Sequence, residues 1–174
     1  MREDVRGIRR MDKLRAIISD ASVLIDLIKA DKEVLETAAR CFDLHISYLV
    51  LDEIDQLDET KATAMGLKIY EESMEILDEA FGQKSSLSPA DWACLAIAKK
   101  EGWHCLTNDQ KLYARCGDEG VKTIRGLRLL LVLVQMQKIT KNKARTTAET
   151  IKRQNVFIKS RVFDDFFREL DGMK

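Results

Sequence analysis

Four carboxylates stand at predicted boundaries between strands and helices: Asp20, Glu53, Asp91 and Asp109. Carboxylates that converge repel one another unless they are protonated or neutralised by a cation. A set of ligands made only of carboxylate oxygens, without His or Cys, selects Mg²⁺ or Mn²⁺ over zinc. Such ions typically serve phosphoryl transfer, in which the metal orients a water molecule and stabilises charge on the phosphate. The residue types therefore predict metal-dependent phosphate chemistry, provided that the fold brings the acids together.

The elements around these acids alternate between strand and helix. Short apolar segments predict strands at residues 15–19, 44–47, 103–107 and 121–124, with a further short strand near 74–77. Helical spacing of apolar residues predicts helices at residues 23–30, 32–41, 48–57 and 62–77, and a long helical region after Gly126. Ser88 followed by Pro89 predicts another helix start, and that helix should end near Gly102.

This alternation predicts an α/β protein, a three-layer α/β/α sandwich with a central, mainly parallel sheet and additional C-terminal helices. We expect residues 1–174 to form a single domain, with a core over about 15–125 and a helical C-terminal region over about 127–171. Phe163, Phe166 and Phe167 indicate that a C-terminal helix docks on the domain or on a second copy.

An open parallel sheet binds ligands outside the carboxyl ends of its strands. Asp20 follows the first strand, Asp109 follows the strand at 103–107, and Glu53 lies about one turn into the helix after residues 44–47. Asp91 is in the first turn of a helix that, in a right-handed crossover, begins on the same side of the sheet. The topology thus allows the four acids to converge.

Each acid also has a purely structural explanation. Asp20 and Asp109 can cap the helices that follow them, and Asp91 can pair with Ser88 in a capping box. Glu53 lies in an acid-rich segment, and an isolated acid there usually belongs to a solvated helix face. Taken singly, none of these residues specifies a metal site, whereas their order and boundary positions together do.

The joint pattern resembles the PIN domain family of metal-dependent ribonucleases over about residues 15–125. The four segments that carry the resemblance are IISDASVLIDL, ISYLVLDEIDQL, LSPADWACLAIAKKEGW and HCLTNDQKL, in this order. The last two, which contain Asp91 and then the T-x-D sequence of Thr107 and Asp109, are the most specific part. The resemblance extends to the C-terminal helices of some prokaryotic stand-alone members.

The resemblance implies an endoribonuclease in which one or two Mg²⁺ or Mn²⁺ ions activate water against an RNA phosphodiester. It implies that the metal-site acids are Asp20, Glu53, Asp91 and Asp109, with Ser22 and Thr107 as supporting hydroxyls. Asp52 and Asp55 flank Glu53, so a one-residue change of register would turn a different acid inward. Many small members are similar to VapC-type toxins, which act as homodimers and pair with an antitoxin protein.

A nuclease must also attract RNA, and a basic C-terminal stretch is the best candidate for phosphate contacts. The residues that we expect to bind nucleic acid are Lys141, Lys143, Arg145, Lys152 and Arg153, in a segment that also contains Lys138, Lys159 and Arg161. These cations can equally form solvated helix faces that balance the acidic segment 52–79. A weaker candidate is the N-terminal arm with Arg2, Arg6, Arg9, Arg10, Lys13 and Arg15. No aromatic platform for stacking bases stands out in the sequence.

Composition narrows the alternatives. The 29 Lys and Arg residues balance 29 Asp and Glu residues, which excludes a uniformly basic nucleic-acid binder. No apolar run is long enough to span a membrane. The four cysteines show no CxxC spacing, which fits a reducing cytoplasm. Two other functions stay open: a non-catalytic PIN-like module that binds RNA or protein, and a phosphotransfer domain with Asp20 as the nucleophile, which a DxD pair would support but Ser22 does not.

Overall fold

A computed structural model of the protein describes residues 13–174. Four cations of the N-terminal arm, Arg2, Arg6, Arg9 and Arg10, lie outside the described residues.

A parallel sheet forms the centre of the described structure. Its strands, in chain order, are β1 (Arg15–Ile18), β2 (Asp43–Ser47), β3 (Lys68–Tyr70), β4 (His104–Leu106) and β5 (Thr123–Ile124). They are hydrogen-bonded in the order β3-β2-β1-β4-β5, and all neighbouring pairs are parallel. Ala16, Ile17 and Ile18 are completely buried, because a central strand of a parallel sheet is covered on both faces and therefore carries a continuous apolar run.

Helices cover both faces of this sheet. They are α1 (Ala21–Cys41), α2 (Tyr48–Leu51), α3 (Glu59–Ala64), α4 (Met74–Gly82), α5 (Pro89–Glu101), α6 (Gln110–Asp118), α7 (Gly126–Gln135), α8 (Lys141–Gln154) and α9 (Ser160–Gly172). One group consists of α1 packed against α7 and α8, and the other of α5 packed against α2, α4 and α6. The extended backbone of Asp31 interrupts α1 between the two helices predicted there. The prediction of a three-layer α/β/α sandwich with C-terminal helices is confirmed.

The predicted helix at residues 48–57 is too long, because α2 already ends at Leu51. The chain continues in tight turns, in which the Ile54 N–H donates to the Leu51 carbonyl and the Leu57 N–H donates to the Ile54 carbonyl. Ile54 and Leu57 are nevertheless buried, so their apolar spacing reflected packing of a turn rather than a helix.

The predicted strand near residues 74–77 is also wrong, since these residues form the first turn of α4. Ser73 caps that helix by accepting a hydrogen bond from the Ile76 N–H. The third strand lies earlier, at residues 68–70, after Gly66 with its left-handed backbone (φ +90°) has ended the preceding helical segment. This edge strand is short and contains the exposed Lys68, which concealed it in the sequence.

β1 lies at the point where the order of the strands across the sheet reverses. β2 and β3 lie on one side of β1, whereas β4 and β5 lie on the other. Such a reversal opens a crevice outside the carboxyl ends of the two strands that flank it, and ligands of open α/β sheets bind there. Asp20 and Asp109 follow the two strands at this crevice, β1 and β4.

Candidate active site

The Asp20 carboxylate is hydrogen-bonded to both chain segments that leave the sheet at the crevice, one after β1 and one after β4. One carboxylate oxygen, Oδ1, accepts the Ser22 N–H at 2.9 Å and thereby caps α1. The other oxygen, Oδ2, accepts the Asn108 N–H at 3.1 Å, from the loop between β4 and α6. The capping explanation is therefore correct, and each oxygen keeps lone pairs for a further ligand.

Asn108 links this junction, the contact of Asp20 with the loop after β4, to a third segment, the start of α7. Its Oδ1 accepts the Gly126 N–H at 3.0 Å, at the start of α7. A Cβ atom on Gly126 would lie 3.3 Å from Nδ2 of Asn108 and 3.4 Å from Cγ1 of Val23, so a side chain there would crowd the junction. The backbone N–H and the side chain of Asn108 therefore position Asp20 and α7.

Asp91 occupies the first turn of α5 and pairs with the residue that caps it. Its N–H donates to Ser88 Oγ at 3.1 Å, and Ser88 Oγ donates to Asp91 Oδ2 at 2.9 Å. Burial raises the pKa of the Asp91 carboxyl; the hydrogen bond from Ser88 opposes this effect, and the negative charges of Asp109 and Asp20 reinforce it. The capping box thus exists, and its acid faces two of the other predicted site residues.

Glu53 lies just beyond the end of α2, on the surface. Partial removal from water raises the pKa of its carboxyl, and the charges of Asp91 and Asp20 raise it further. Glu53 is therefore within electrostatic reach of two predicted site acids. Its neighbours Asp52 and Asp55 are exposed as well.

Asp109 begins α6 and is exposed at the same edge. Its Oδ1 accepts the Leu112 N–H at 2.8 Å, which caps the helix as the alternative explanation expected. Its own N–H donates at 3.0 Å to Oγ1 of Thr107, a fully buried residue at the end of β4. The Thr107 hydroxyl therefore orients the backbone that carries Asp109.

The four acids suit a hard cation by their chemistry. Glu53 and Asp91 both have pKa values raised in part by neighbouring carboxylates, and a bound cation would relieve that repulsion. Within residues 13–174, however, no three His, Cys, Asp or Glu side chains lie close enough together to hold a metal ion. Mutual repulsion and the capping hydrogen bonds of Asp20, Asp91 and Asp109 favour such a spread arrangement.

A fifth carboxylate near this edge was missed in the sequence. Glu72 is buried and accepts the backbone N–H groups of Tyr48 and Leu49 at 3.3 and 3.2 Å, at the start of α2. It holds the short helix that leads to Glu53. A correct placement of β3 at residues 68–70 would have indicated it, because Glu72 follows that strand by two residues.

The basic C-terminal stretch divides into two parts. Lys143 pairs with Asp31 at 2.7 Å and with Glu33 at 3.3 Å, Arg145 pairs with Asp171, and Lys141 donates to the Met173 carbonyl. These cations hold α8 to α1 and to the C-terminal residues. By contrast, Lys152 and Arg153 are exposed in the last turn of α8.

A cleft of about 740 Å³ lies at the opposite edge of the sheet, at the amino ends of the strands. Lys13, Arg15, Lys68 and Trp103 are among its lining residues, and Asp43 forms ion pairs with both Arg15 and Lys68. Because ligands of parallel sheets bind at the carboxyl ends, we assign the candidate active site to the acidic edge rather than to this cleft.

Comparisons with known proteins agree with this fold. A family model described as a PIN domain (DUF3368) matches residues 16–172. A solved structure of a PilT N-terminus domain protein from the hyperthermophilic archaeon Sulfolobus solfataricus P2 is similar, with a TM-score of 0.54 and 17% sequence identity. The similarity covers 68% of this chain and 92% of that one. No curated protein matches the sequence. None of the helices formed by residues 13–174 combines the length and apolar character that a membrane span requires.

Proposed function

Because the chain belongs to the PIN domain family, we propose that it is an endoribonuclease that uses Mg²⁺ or Mn²⁺ to hydrolyse RNA phosphodiester bonds. The observation that carries the proposal is the group of acids at the crevice beside β1. Asp91 lies within electrostatic reach of Asp20 and Asp109, and Glu53 within reach of Asp91 and Asp20. Such a concentration of carboxylates at a ligand-binding edge suits a divalent cation and the phosphate that it would recruit.

In this proposal Asp20, Glu53, Asp91 and Asp109 are the residues that would hold the ion. When bound, a divalent ion supplies a Lewis acid that lowers the pKa of water and neutralises charge developing on the phosphate. The supporting groups act on the acids themselves: the N–H groups of Ser22 and Asn108 orient Asp20, and the Thr107 hydroxyl orients Asp109 through its backbone. Glu53 is exposed, so RNA can approach its carboxylate from solvent.

Cleavage of an end-labelled single-stranded RNA in Mn²⁺ or Mg²⁺ tests the proposal. Asp91→Asn preserves the acceptor for Ser88 but removes the charge, and we expect kcat/KM to fall about a hundredfold or more, since metal-assisted charge stabilisation contributes several kcal/mol. The matched control is Asp52→Asn, an exposed acid next to Glu53, which should retain activity. Full activity in Asp91→Asn would contradict the proposal. RNA that is bound but never cleaved with either metal would favour the non-catalytic module.

We extend the proposal to a homodimer. Met74 and Phe81 are 71% and 65% exposed on α4, and their separation of seven residues places them on one face of the helix. Large exposed apolar side chains on a single face suit contact with a second copy. For a toxin role and an antitoxin partner, the resemblance to VapC-type toxins is the sole support, and no contact among residues 13–174 bears on either.

A further inference from the structure

The loop between α8 and α9, residues 155–159, presents an aromatic side chain to solvent. Phe157 is 92% exposed and its neighbour Val156 is 82% exposed. Exposing a whole phenyl ring gains nothing for folding, because the ring contributes to stability only when it is removed from water. The feature was hidden in the sequence because a Phe within an apolar run, here VFI, normally indicates burial.

Hydrogen bonds hold this loop in one conformation. The Asn155 N–H ends α8 by donating to the Ile151 carbonyl, and Asn155 Oδ1 accepts the Phe157 N–H at 3.0 Å. Asn155 Nδ2 donates at 2.8 Å to Oδ2 of the buried Asp26 on α1. The base of the loop is therefore anchored to the helix that Asp20 caps, while Phe157 is left pointing into solvent.

The loop also adjoins the crevice that holds the acids. Ile158 and Ile151 line a small cavity together with Asn108 and Gly126. Asn108 is the residue whose backbone N–H binds Asp20. The base of the loop therefore lines the same cavity as the residue that positions Asp20.

The charged side chains nearest to the loop in the sequence are basic, whereas Asp26 binds the base of the loop and Glu149, Asp164 and Asp165 lie just beyond this segment. Residues 150–163 contain Lys152, Arg153, Lys159 and Arg161 but neither Asp nor Glu. Arg161 is 91% exposed and has a long contact of 3.9 Å with Asp165, unlike the close intramolecular pairs of Lys143 and Arg145. Exposed cations around a solvent-facing phenyl ring complement a ligand that carries both phosphates and accessible aromatic bases.

We propose that the α8–α9 loop is a binding site for single-stranded RNA beside the acidic edge. Phe157 stacks on an unpaired base, and Arg153 and Lys159 contact the flanking phosphates. Naming RNA as the ligand rests on the proposed ribonuclease function, and the loop adds that the strand must be unpaired where it approaches the acids. A duplex would not serve, because its bases are already stacked on one another.

The first test measures the binding of a fluorescein-labelled 12-nucleotide oligouridylate by anisotropy in EDTA, so that no cleavage occurs. Phe157→Leu retains an apolar side chain but loses the aromatic face, and we expect it to weaken binding about five- to tenfold. Phe157→Trp retains stacking and should bind as tightly as wild type. Equal affinity of wild type, Phe157→Leu and Phe157→Trp would overturn the proposal and leave the loop tip as a protein-docking site. Equal affinity of wild type for a duplex of the same length would also overturn it.

The second test concerns the phosphate contacts proposed for the basic side chains of the loop. Removing one phosphate contact by Lys159→Gln should lower the slope of log affinity against log salt concentration by about 0.7. The matched control is Lys100→Gln, an exposed lysine near the end of α5, which should leave the slope unchanged. The same slope in wild type and Lys159→Gln would count against phosphate contacts at the loop.

The proposed RNA-binding role of the loop and the proposed nuclease function of the acids can be refuted independently. A protein that binds the oligonucleotide through Phe157 but does not cleave RNA in Mn²⁺ would refute the nuclease and support the loop as a binding site. A protein that cleaves RNA, and whose Phe157→Leu variant has unchanged binding and KM, would refute the loop and support the nuclease.

Discussion

Three of the acids at the crevice, Asp20, Asp91 and Asp109, make structural hydrogen bonds and also act electrostatically on one another. Asp20 and Asp109 cap helices, and Asp91 completes a capping box, yet the pKa of Asp91 is raised by burial and by the other two charges. Capping occupies one lone pair of a carboxylate oxygen and leaves others available. The structural and the functional explanations of these residues are thus compatible, and the electrostatic cost of gathering them remains in the metal-free protein.

The electrostatic cost of gathering these carboxylates predicts that the stability contribution of Asp91 depends on pH. A carboxyl with a raised pKa in the folded state binds more protons there than in the unfolded state, so the contribution of Asp91 to the stability of the metal-free protein falls as pH rises above about 4, through the ordinary carboxyl range. The penalty is fully present at neutral pH. Asp91→Asn should therefore raise the melting temperature in EDTA at neutral pH by about 2–4 °C, if about 1 kcal/mol of repulsion is removed.

Thermal melts from acidic to neutral pH check this prediction. The advantage of Asp91→Asn should disappear at acidic pH, where the wild-type carboxyl is protonated in both states. Asp52→Asn, at an exposed position without a capping partner, should change stability by no more than about 0.5 kcal/mol at any pH. A lower melting temperature for Asp91→Asn at neutral pH would show that the carboxylate stabilises the metal-free fold.

Among single residues, the sequence indicated those whose role follows from their place at the end of a strand or the start of a helix. Asp20, Asp91 and Asp109 stand next to strand ends or helix starts, and those boundaries could be predicted from neighbouring residues. The partners of Asn108 and Glu72 could not be predicted in this way, although both residues follow a strand by two positions, because Asn108 meets Asp20 across 88 positions of the chain and Glu72 meets Leu49 across 23. Their partners are set by strand order.

Among the elements, α9 and α4 differ in what their apolar faces contact. Phe163, Phe166 and Leu170 of α9 are buried within the chain, and α9 packs on α7 and α8. Of the two alternatives for the C-terminal phenylalanines, docking on the domain is therefore correct. The α4 face with Met74 and Phe81 remains exposed instead, which makes it the candidate contact for a second copy.

The dimer predicts a specific effect of charge on α4. Phe81→Glu would place a carboxylate in the centre of an apolar contact, where an unpaired charge is costly. We expect sedimentation velocity to show a wild-type dimer and a Phe81→Glu monomer that still folds, as judged by circular dichroism, since Phe81 is 65% exposed in the single chain. Loss of the dimer should lower the melting temperature of the variant. The control Phe157→Glu carries the same change on the α8–α9 loop and should remain dimeric. A wild-type monomer, or a dimeric Phe81→Glu, would contradict this assignment.

The prediction of secondary structure was wrong where buried residues do not adopt the conformation that their apolar spacing indicated. Ile54 and Leu57 are buried in turns, so helical spacing overestimated the length of α2. The short edge strand β3 was missed because it pairs only with β2 and contains an exposed lysine. By contrast, β1 was predicted nearly to the residue, because a central strand has to be apolar on both faces.

At the scale of the whole molecule, the reversal of strand order at β1 explains why the acids lie at one edge of the sheet. Alternating strands and helices predicted a parallel sheet, but not that β4 would pair with β1 and create the crevice between them. This pairing brings Asp20 beside the loop that carries Asn108 and Asp109. The proposed site thus depends on a long-range pairing that no local segment encodes.

Titration calorimetry with Mn²⁺ tests most directly whether this edge is a metal site. We predict saturable binding to the wild-type protein, weakened about tenfold or more in Asp91→Asn because one charged ligand is lost, and unchanged in Asp52→Asn. A wild-type protein that shows neither binding heat nor thermal stabilisation with Mn²⁺ or Mg²⁺ would contradict the assignment of Asp20, Glu53, Asp91 and Asp109 as metal ligands.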